Sequence, residues 1–527
     1  MADRLNIAIA QINPVSGALV ANANAILAAR DQFPAADLLV TPALALDGGA
    51  TGTLAARPAF RRAIDSELQR LARATANAGP AILVGHSADA GGGSISSATL
   101  LQQGEIRATL SAGTGCLTLH GRVLGVNTGT PLTPNTTQAL RDAGAQLLIH
   151  MACQAWTADT APASQILQDI ARHSSLPALW VNRAGAQDEL VFAGGSLAAQ
   201  ANGRIMARLP EWEAATAAWS FHSDSGFAES AIAPADDSEQ ALYHAMLVGL
   251  RDYVDKSGFP GVLIGLSGGL DSALTAAIAV DALGADKVWC VMLPSRFTSA
   301  ASIADAMDCA RLLGTRLDEI AIEPAVSALD SMLQPHFAGT VRNLAEENIQ
   351  ARLRMVALMA LSNKFGHMML TTDNKSEAAV GYSTLYGDCA GGFGVLGDLY
   401  KSDAFRLARW RNGNRPRLAL GPDGPVIPER IITKPPTAEL RDNQRDDDSL
   451  PPYDVLDPIL HALIEEDLSV PEIVARGLAD AVTAARVEQL LTMAEYKRRQ
   501  SPPSVRLSRH AFAGRDYPIT NGFRTSD

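Results

Sequence analysis

The sequence predicts an α/β protein built from two layered units, and three observations carry that expectation. Short apolar strands alternate with amphipathic helices through both halves of the 527-residue chain. This is the pattern of sheets covered by helices. A small, acidic, aperiodic stretch at 221–238 separates the halves and reads as a linker between units at 1–220 and 239–527. In the second half, an apolar strand at 261–266 runs into the turn Ser267-Gly268-Gly269-Leu270-Asp271-Ser272 and then a helix.

In the first unit, strands are expected at 5–11, 37–41, 81–85, 121–126, 146–151 and 178–182, each a short run of aliphatic residues. Helices are expected at 15–33, 60–78, 137–143 and 161–174; in 60–78, Ile64, Leu68 and Leu71 share one face against charge. The second unit reads as helix 239–256, strand 261–266, helix 271–283, strand 287–293, helix 299–313, helix 345–365 and strand 367–372. Residues 411–452, rich in Pro, Asp and Asn, are expected as loops over a site, with helices following at 456–465, 470–476 and 482–499.

Composition narrows the function classes. Hydrophobic residues make up 47% and charged residues 19%, the balance of a globular chain. A formal net charge of −12 supplies no global positive field, which argues against nucleic acid or an anionic membrane as partner. No apolar run approaches the roughly 18 residues of a spanning helix, and the opening MADRLNIAIAQINP lacks a charged leader followed by an apolar region. Cys116, Cys153, Cys290, Cys309 and Cys389 are scattered without CxxC spacing, so a reducing, cytoplasmic setting is expected, with no disulfide frame or structural zinc. Lysine is absent before Lys256, so no earlier residue offers an amine for catalysis.

The glycine turn is the strongest local signal. A glycine turn after a buried strand bares backbone N–H groups at a helix N-terminus, where the dipole attracts phosphate oxygens. Ser267 and Ser272 add hydroxyls. Asp271 in such a nest makes sense with a cation, which points to Mg²⁺. The turn contains no lysine, so it is not the GxxxxGK[ST] loop. It resembles the loop of ATP pyrophosphatases, which grip the β/γ-pyrophosphate and leave the α-phosphate open to attack; the expected chemistry is adenylation.

Further segments narrow the resemblance. WCVMLPSRFTS (289–299), LAEENIQARLR (344–354), TTDNKSEAAVGYSTLYGD (371–388), IITKPPTAELRDNQRDDDSLPP (431–452) and AEYKRRQSPP (494–503) are similar to the synthetase domain of glutamine-dependent NAD synthetases. The match spans roughly residues 240–525. It implies a Rossmann-like parallel sheet in which the deamido-NAD carboxylate attacks ATP, and ammonia then displaces AMP from an NAD-adenylate. It also implies roles. Ser267, Gly268, Gly269, Asp271, Ser272, Thr372, Lys401 and Thr437 would bind ATP. Asp271 and Glu377 would hold Mg²⁺, and Asn348, Arg352, Glu377 and Lys497 would bind deamido-NAD. Taken alone, Glu377 also passes for a surface charge, Lys401 for a solvated lysine and AEYKRRQ for a basic helix face.

The first half resembles a nitrilase-fold amidase, an α-β-β-α sandwich, through LNIAIAQINPVSG (5–17) and VNRAGAQDELVFAGGSL (181–197). Such amidases hydrolyse glutamine with Cys, Glu and Lys. Each position departs here. TPALALDGG (41–49) places Ala43 where the family has Glu, and GVNTGTPLT (125–133) places Gly129 where it has Cys, with Thr130 and Pro131 beside it. The lysine segment is shortened, with Arg107 nearest, and Cys153 is expected as packing. The unit is therefore expected to be glutaminase-inactive, a scaffold or binding module.

A further departure concerns the nitrogen source. The fused enzymes resembled here read TTGNKSE; this chain has Asp373 in place of that glycine. Ammonia-using synthetases resemble GTDHAAE at this point, so Asp373 is expected to hold ammonium or take its proton. Cys389, where the fused enzymes often have Met, is expected to pack. The leading expectation is an ammonia-dependent NAD synthetase, commonly a homo-oligomer in this family. The same synthetase fed by a separate amidase, and a non-catalytic deamido-NAD-binding paralogue, are the alternatives.

Overall fold

A computed structural model describes residues 4–49, 52–89, 94–110, 113–129, 132–442, 444–512 and 517–525. The chain divides into two compact units, Met1–Asp237 and Ser238–Asp527.

The first unit is two sheets face to face with helices outside. One has seven strands, in the order Gly226–Phe227, Ala215–His222, Arg4–Gln11, Leu38–Val40, Ala81–Asp89, Ser94–Gln102, Glu105–Leu110. The other has six, in the order Ile205–Arg208, Leu197–Ala199, Ala178–Val181, Leu147–Met151, Arg122–Thr128, Thr114–Leu119. Alternation along Arg4–Gln11 sets the layers. Leu5, Ile7 and Ile9 enter the core between the sheets, against Leu147, Ile149 and Val181. Ala8 and Ala10 face outward under helices Leu19–Asp31 and Pro58–Ala74, which contribute Leu19, Ile26, Ile64 and Leu68. On the other outer face, Leu140, Leu167 and Ile170 of helices Pro134–Asp142 and Ala163–Ser174 cover Leu148 and Trp180. The central strands are buried on both faces, which is why they read as unbroken apolar runs.

Two expectations are corrected here. Residues 221–238 are not all linker. Phe221 and His222 end the strand Ala215–His222, and Phe227 pairs back opposite Phe221 in a tight hairpin. Both rings are buried and meet edge to face, 5.4 Å between centroids. The small, acidic composition masked two aromatic residues whose burial closes the edge of the sheet, and the unit runs to Asp237. Strands Ser94–Gln102, Glu105–Leu110 and Thr114–Leu119 were not foreseen either. Two of them, Ser94–Gln102 and Thr114–Leu119, mix Ser and Thr with apolar residues, and all three are held by antiparallel pairing with neighbours such as Leu83↔Leu100, Thr99↔Thr109 and Leu117↔Leu124.

The second unit is built on a five-stranded sheet, all pairs parallel, in the order Arg316–Glu319, Val288–Met292, Val262–Gly265, Met368–Thr371, Phe393–Gly394. Helices Ser238–Ser257, Leu270–Leu283, Ala300–Leu313 and Leu344–Phe365 flank it. Helices Tyr453–Ile464, Val470–Ala475 and Ala481–Met493 form a separate apolar cluster with Ala379 and Val380. The stretch expected as loops contains the end of helix Lys401–Gly413 and the short helix Glu429–Thr433. Among the described residues, no helix is long and apolar enough to cross a membrane.

Because Phe227 closes the first sheet, Phe227→Ala is expected to destabilise the first unit by about 3–5 kcal/mol. Urea unfolding of the full chain checks this; an unchanged midpoint would mean that residues 221–227 behave as a linker after all.

Candidate active site

The parallel sheet changes direction of growth between Val262–Gly265 and Met368–Thr371, and a crevice opens at the carboxyl ends of these two strands. The first strand delivers the glycine turn. Gly268 has φ +77°, and a Cβ there would lie 2.2 Å from the Ser302 carbonyl oxygen, so the turn packs onto its neighbour only as glycine. Ser272 Oγ accepts from the Ser267 N–H at 3.2 Å and sits 3.0 Å from Ser267 Oγ. Ser267 Oγ accepts from the Gly269 N–H at 3.2 Å. Helix Leu270–Leu283 starts behind Gly269 with no side-chain cap, which leaves its N-terminal dipole to a ligand.

The second strand delivers Thr372, Asp373 and the helix Lys375–Val380. Buried Asn374 links the two sides of the crevice. Its Oδ1 accepts from the Glu377 N–H at 3.0 Å, and its Nδ2 donates to Asp271 Oδ1 at 3.2 Å. Lys401 then joins the two carboxylates: its Nζ lies 2.5 Å from Asp271 Oδ2 and 3.0 Å from Glu377 Oε1. Ser376 Oγ accepts from the Lys401 N–H at 2.9 Å and donates to Asp457 Oδ1 at 2.5 Å. The other Asp457 oxygen accepts from the Ser402 N–H at 2.8 Å, holding the start of helix Lys401–Gly413. Fully buried Lys375 points the opposite way, 2.7 Å from Asp398 and 2.5 Å from Glu465. Asn374, Lys375 and Ser376 were passed over in the sequence; the available signal was the unbroken polar run from Thr372 to Glu377 after a buried strand.

Charge defines the pocket. Asp271, Asp373, Glu377, Asp388, Glu439 and Asp446 line a cavity of about 190 Å³, with Lys401 and Lys434 as its lysines. Burial, then Asp388, Glu377 and Asp271, raise the Asp373 carboxyl well above the usual carboxylate range. Burial opposes the charge on Lys401, but Asp271 and Glu377 outweigh it and hold the ammonium protonated. Glu377 is buried and shares that single cation with Asp271, so its carboxyl is also pushed up. The pair converges on one cation and suits a hard divalent ion. Among the described residues no group of three or more metal-ligating side chains occurs, so Mg²⁺ here would draw its remaining ligands from water and phosphate, as it commonly does. An adjoining, more apolar cavity of about 220 Å³ is lined by Val291, Leu293, Met355, Leu358 and Leu370. Thr372 and Ser267 border both.

Thr437 lines the polar cavity and folds its own loop: its Oγ1 donates to the Gln444 carbonyl at 2.6 Å. Lys434, in the same segment, was not singled out in the sequence; its Nζ lies 3.1 Å from Ser302 Oγ and 3.2 Å from Asp305. Asn348, Arg352 and Lys497 do not line either cavity. They gather instead around the loop after Gly381. Asn348 Oδ1 accepts from Thr384 Oγ1 at 2.8 Å, Arg352 donates to the Leu385 carbonyl at 3.2 Å, and Lys497 Nζ reaches the Gly381 and Ser383 carbonyls at 2.7 Å. The same loop orients Asp388, whose Oδ1 accepts from the Thr384 N–H at 2.6 Å. Cys389 is buried and donates to the Thr384 carbonyl at 3.1 Å.

In the first unit, Ala43 and Gly129 meet at one end of strand Leu147–Met151: the Ala43 N–H donates to the Ala152 carbonyl and the Gly129 N–H to the Met151 carbonyl, both at 3.1 Å. Gly129 has φ +82°, and a Cβ would lie 2.9 Å from Ser96 Cβ. Thr130 and Pro131 fall outside the described residues. Arg107 does not join this place. Ala108 and Leu110 turn into the core, so Arg107 faces outward by strand alternation and pairs with Glu105 at 2.9 Å. Cys153 packs against the core, and burial raises its thiol, which weakens it as a nucleophile.

Comparison with known proteins bears on these sites. The NAD synthase family profile matches residues 242–501, and the carbon-nitrogen hydrolase profile matches residues 130–221. The glutamine-dependent NAD(+) synthetase of Rhodobacter capsulatus is 42% identical over 99% of this chain and 100% of its own. That of Xanthomonas campestris is 40% identical over 99% and 98%. Among solved structures, the glutamine-dependent NAD+ synthetase of Acinetobacter baumannii, in complex with ADP, superposes with a TM-score of 0.77 at 33% identity, covering 99% of this chain and 100% of that one. A Cytophaga hutchinsonii structure, with a TM-score of 0.82 at 16% identity, shares the fold. By length, domain order and identity, the chain belongs to the NAD synthetase family, in the form that joins a carbon-nitrogen hydrolase unit to an NAD synthase unit.

Proposed function

We propose that this NAD synthetase binds MgATP across the two adjoining cavities and amidates deamido-NAD with free ammonia. The observation that carries the reading is the convergence of Asp271, Glu377 and Lys401 beside the glycine turn. The apolar cavity suits an adenosine, and the turn with the N-terminus of helix Leu270–Leu283 suits a polyphosphate. Six carboxylates in the polar cavity would repel ATP on its own. Asp271 and Glu377 would hold Mg²⁺, which neutralises phosphate charge so that a carboxylate can approach.

The balance of the reaction follows from these roles. The deamido-NAD carboxylate attacks the ATP α-phosphorus, and pyrophosphate leaves. Ammonia attacks the acyl carbon of the resulting adenylate; AMP leaves and a proton is released. Asn348, Arg352 and Lys497 surround a loop that ends at Asp388, on the edge of the polar cavity, a placement compatible with a dinucleotide reaching in from that side. Ammonia in neutral solution is mostly ammonium, so a nearby base is needed. Asp373 lines the polar cavity beside Thr372 and is the carboxylate assigned to receive that proton.

The relatives are glutamine-dependent by name. The reading of this chain differs because neither Ala43 nor Gly129 carries a group able to attack an amide or move its proton, and no lysine precedes Lys256. Without that chemistry the first unit acts as a scaffold.

Purified enzyme with ATP, Mg²⁺ and deamido-NAD is expected to form NAD and AMP with ammonium, and to form none with glutamine in ammonia-free buffer. Glutamine-driven turnover would overturn the nitrogen assignment; no AMP release with either donor would overturn the ligase assignment. Asp373→Gly is expected to raise the ammonium KM about tenfold with the ATP KM unchanged. An unaltered ammonium KM would remove Asp373 from nitrogen handling. Lys401→Met is expected to lower kcat about 100-fold, measured as AMP release at saturating substrates.

A further inference from the structure

Two ion pairs of the same spacing tie the helices Leu270–Leu283 and Lys401–Gly413 together. Asp271 and Lys401 pair at the N-terminal ends; Asp281 and Arg411, each ten residues on, pair at the C-terminal ends. The helices therefore run parallel, and the pairs are about 15 Å apart along them. We propose that Arg411, with Asp281 and Tyr243, is a positioning device for the active site: it sets the axial register of the two helices and so places the Lys401 ammonium on Asp271 and Glu377. The proposal rests on the MgATP reading above in one respect, that Lys401 and Asp271 serve the bound nucleotide.

The contact between the two pairs explains why register needs setting. The buried stripe of helix Lys401–Gly413 is Lys401, Ala404, Leu407, Ala408 and Arg411. The facing helix, LDSALTAAIAVDAL, is rich in alanine and buried almost throughout. Alanine surfaces offer shallow ridges and grooves, and apolar burial is non-directional. A bidentate guanidinium–carboxylate pair is directional. Arg411 Nε lies 2.6 Å from Asp281 Oδ2 and Nη2 3.1 Å from Oδ1. Tyr243 donates its hydroxyl to the same Oδ2 at 2.6 Å. All three side chains are fully buried.

The loop after helix Lys401–Gly413 closes over the pair. Arg411 donates to the Pro422 carbonyl at 2.8 Å, and the Leu420 N–H donates to the Asp281 carbonyl at 2.9 Å. Gly421 is pressed so close that a Cβ would lie 2.2 Å from Asp281 Oδ1. Local preference opposes Asp281 where it is. An aspartate in the last turn of a helix faces the negative end of the dipole, and a buried ion pair is a weak source of stability compared with apolar packing of the same volume. A charge kept against both trends is explained by the geometry it enforces.

The test separates register from stability. The triple variant Tyr243→Phe, Asp281→Leu, Arg411→Met keeps the volume and removes the polar lock. It is expected to unfold within about 5 °C of wild type. Its kcat for ammonia-dependent NAD formation is expected to fall about tenfold, and its calorimetric Kd for MgATP to rise about tenfold. Combined with Lys401→Met, it should add less than about threefold to the loss from Lys401→Met alone, because both act through one ammonium. A folded triple variant within about twofold of wild type in kcat and Kd, or losses that multiply fully with Lys401→Met, overturns the proposal. If the triple variant does not fold, Arg411→Lys, which keeps charge but loses the bidentate geometry, decides by the same readings. A wild type that binds MgATP but makes no NAD would fail the ligase assignment instead, and the Kd comparison alone would then decide the register.

Discussion

Asp271 and Glu377 arrive from opposite sides of a sheet crevice, one after the glycine turn and one on the short helix beyond Met368–Thr371, and the Lys401 ammonium sits between them. Two carboxylates largely shielded from solvent repel each other unless a cation joins them. Much of the local architecture serves that meeting. Asn374 holds Asp271 while capping the helix that carries Glu377, and Ser376 and Asp457 hold the backbone from which Lys401 projects. The segment DNKSE is thus read by position: Asp373 toward the cavity, Asn374 across the crevice, Lys375 into a buried ionic cluster, Ser376 onto the next helix and Glu377 onto the shared cation.

The two cavities divide recognition by polarity. One is lined by aliphatic residues from the strands and from helix Leu344–Phe365, the other by carboxylates, lysines and the glycine turn. A nucleotide is a molecule with the same division. Under the proposed assignment, a phosphate end would meet a field that is negative on balance, which a divalent cation would neutralise. Lys375 illustrates the structural side of the same problem. Its ammonium is withdrawn from the cavity and neutralises Asp398 and Glu465, so the C-terminal residues Leu507 and Ser508, which Asp398 also binds, are tied to the base of the site.

The first unit shows how a fold is held independently of any site it carries. The backbones of Ala43 and Gly129 meet at the end of Leu147–Met151. The sandwich around them is intact, because its stability lies in the alternating faces of strands such as Arg4–Gln11 and not in the site.

Sequence and tertiary structure divided the information along physical lines. The sequence by itself determined the parallel α/β core of the second unit and the glycine turn with Asp271, because short-range periodicity and a strand–turn–helix order are local properties, whereas Glu377 and Lys401 stood out only through the family resemblance. It also fixed positions 43 and 129 as alanine and glycine, which carry neither a nucleophile nor a base. It misread 221–227 as linker, because the burial of Phe221 on Phe227 is a pairing, not a composition. It placed Arg107 near the amidase site, although strand alternation turns that side chain outward. Only the tertiary structure decided that one ammonium joins Asp271 to Glu377, that Asn348, Arg352 and Lys497 hold a loop instead of lining either of the two cavities, and that Arg411 and Asp281 repeat the active-site pair ten residues away. These are relations between segments as much as 130 residues apart in the chain, and they exist only once the two helices and the sheet have packed.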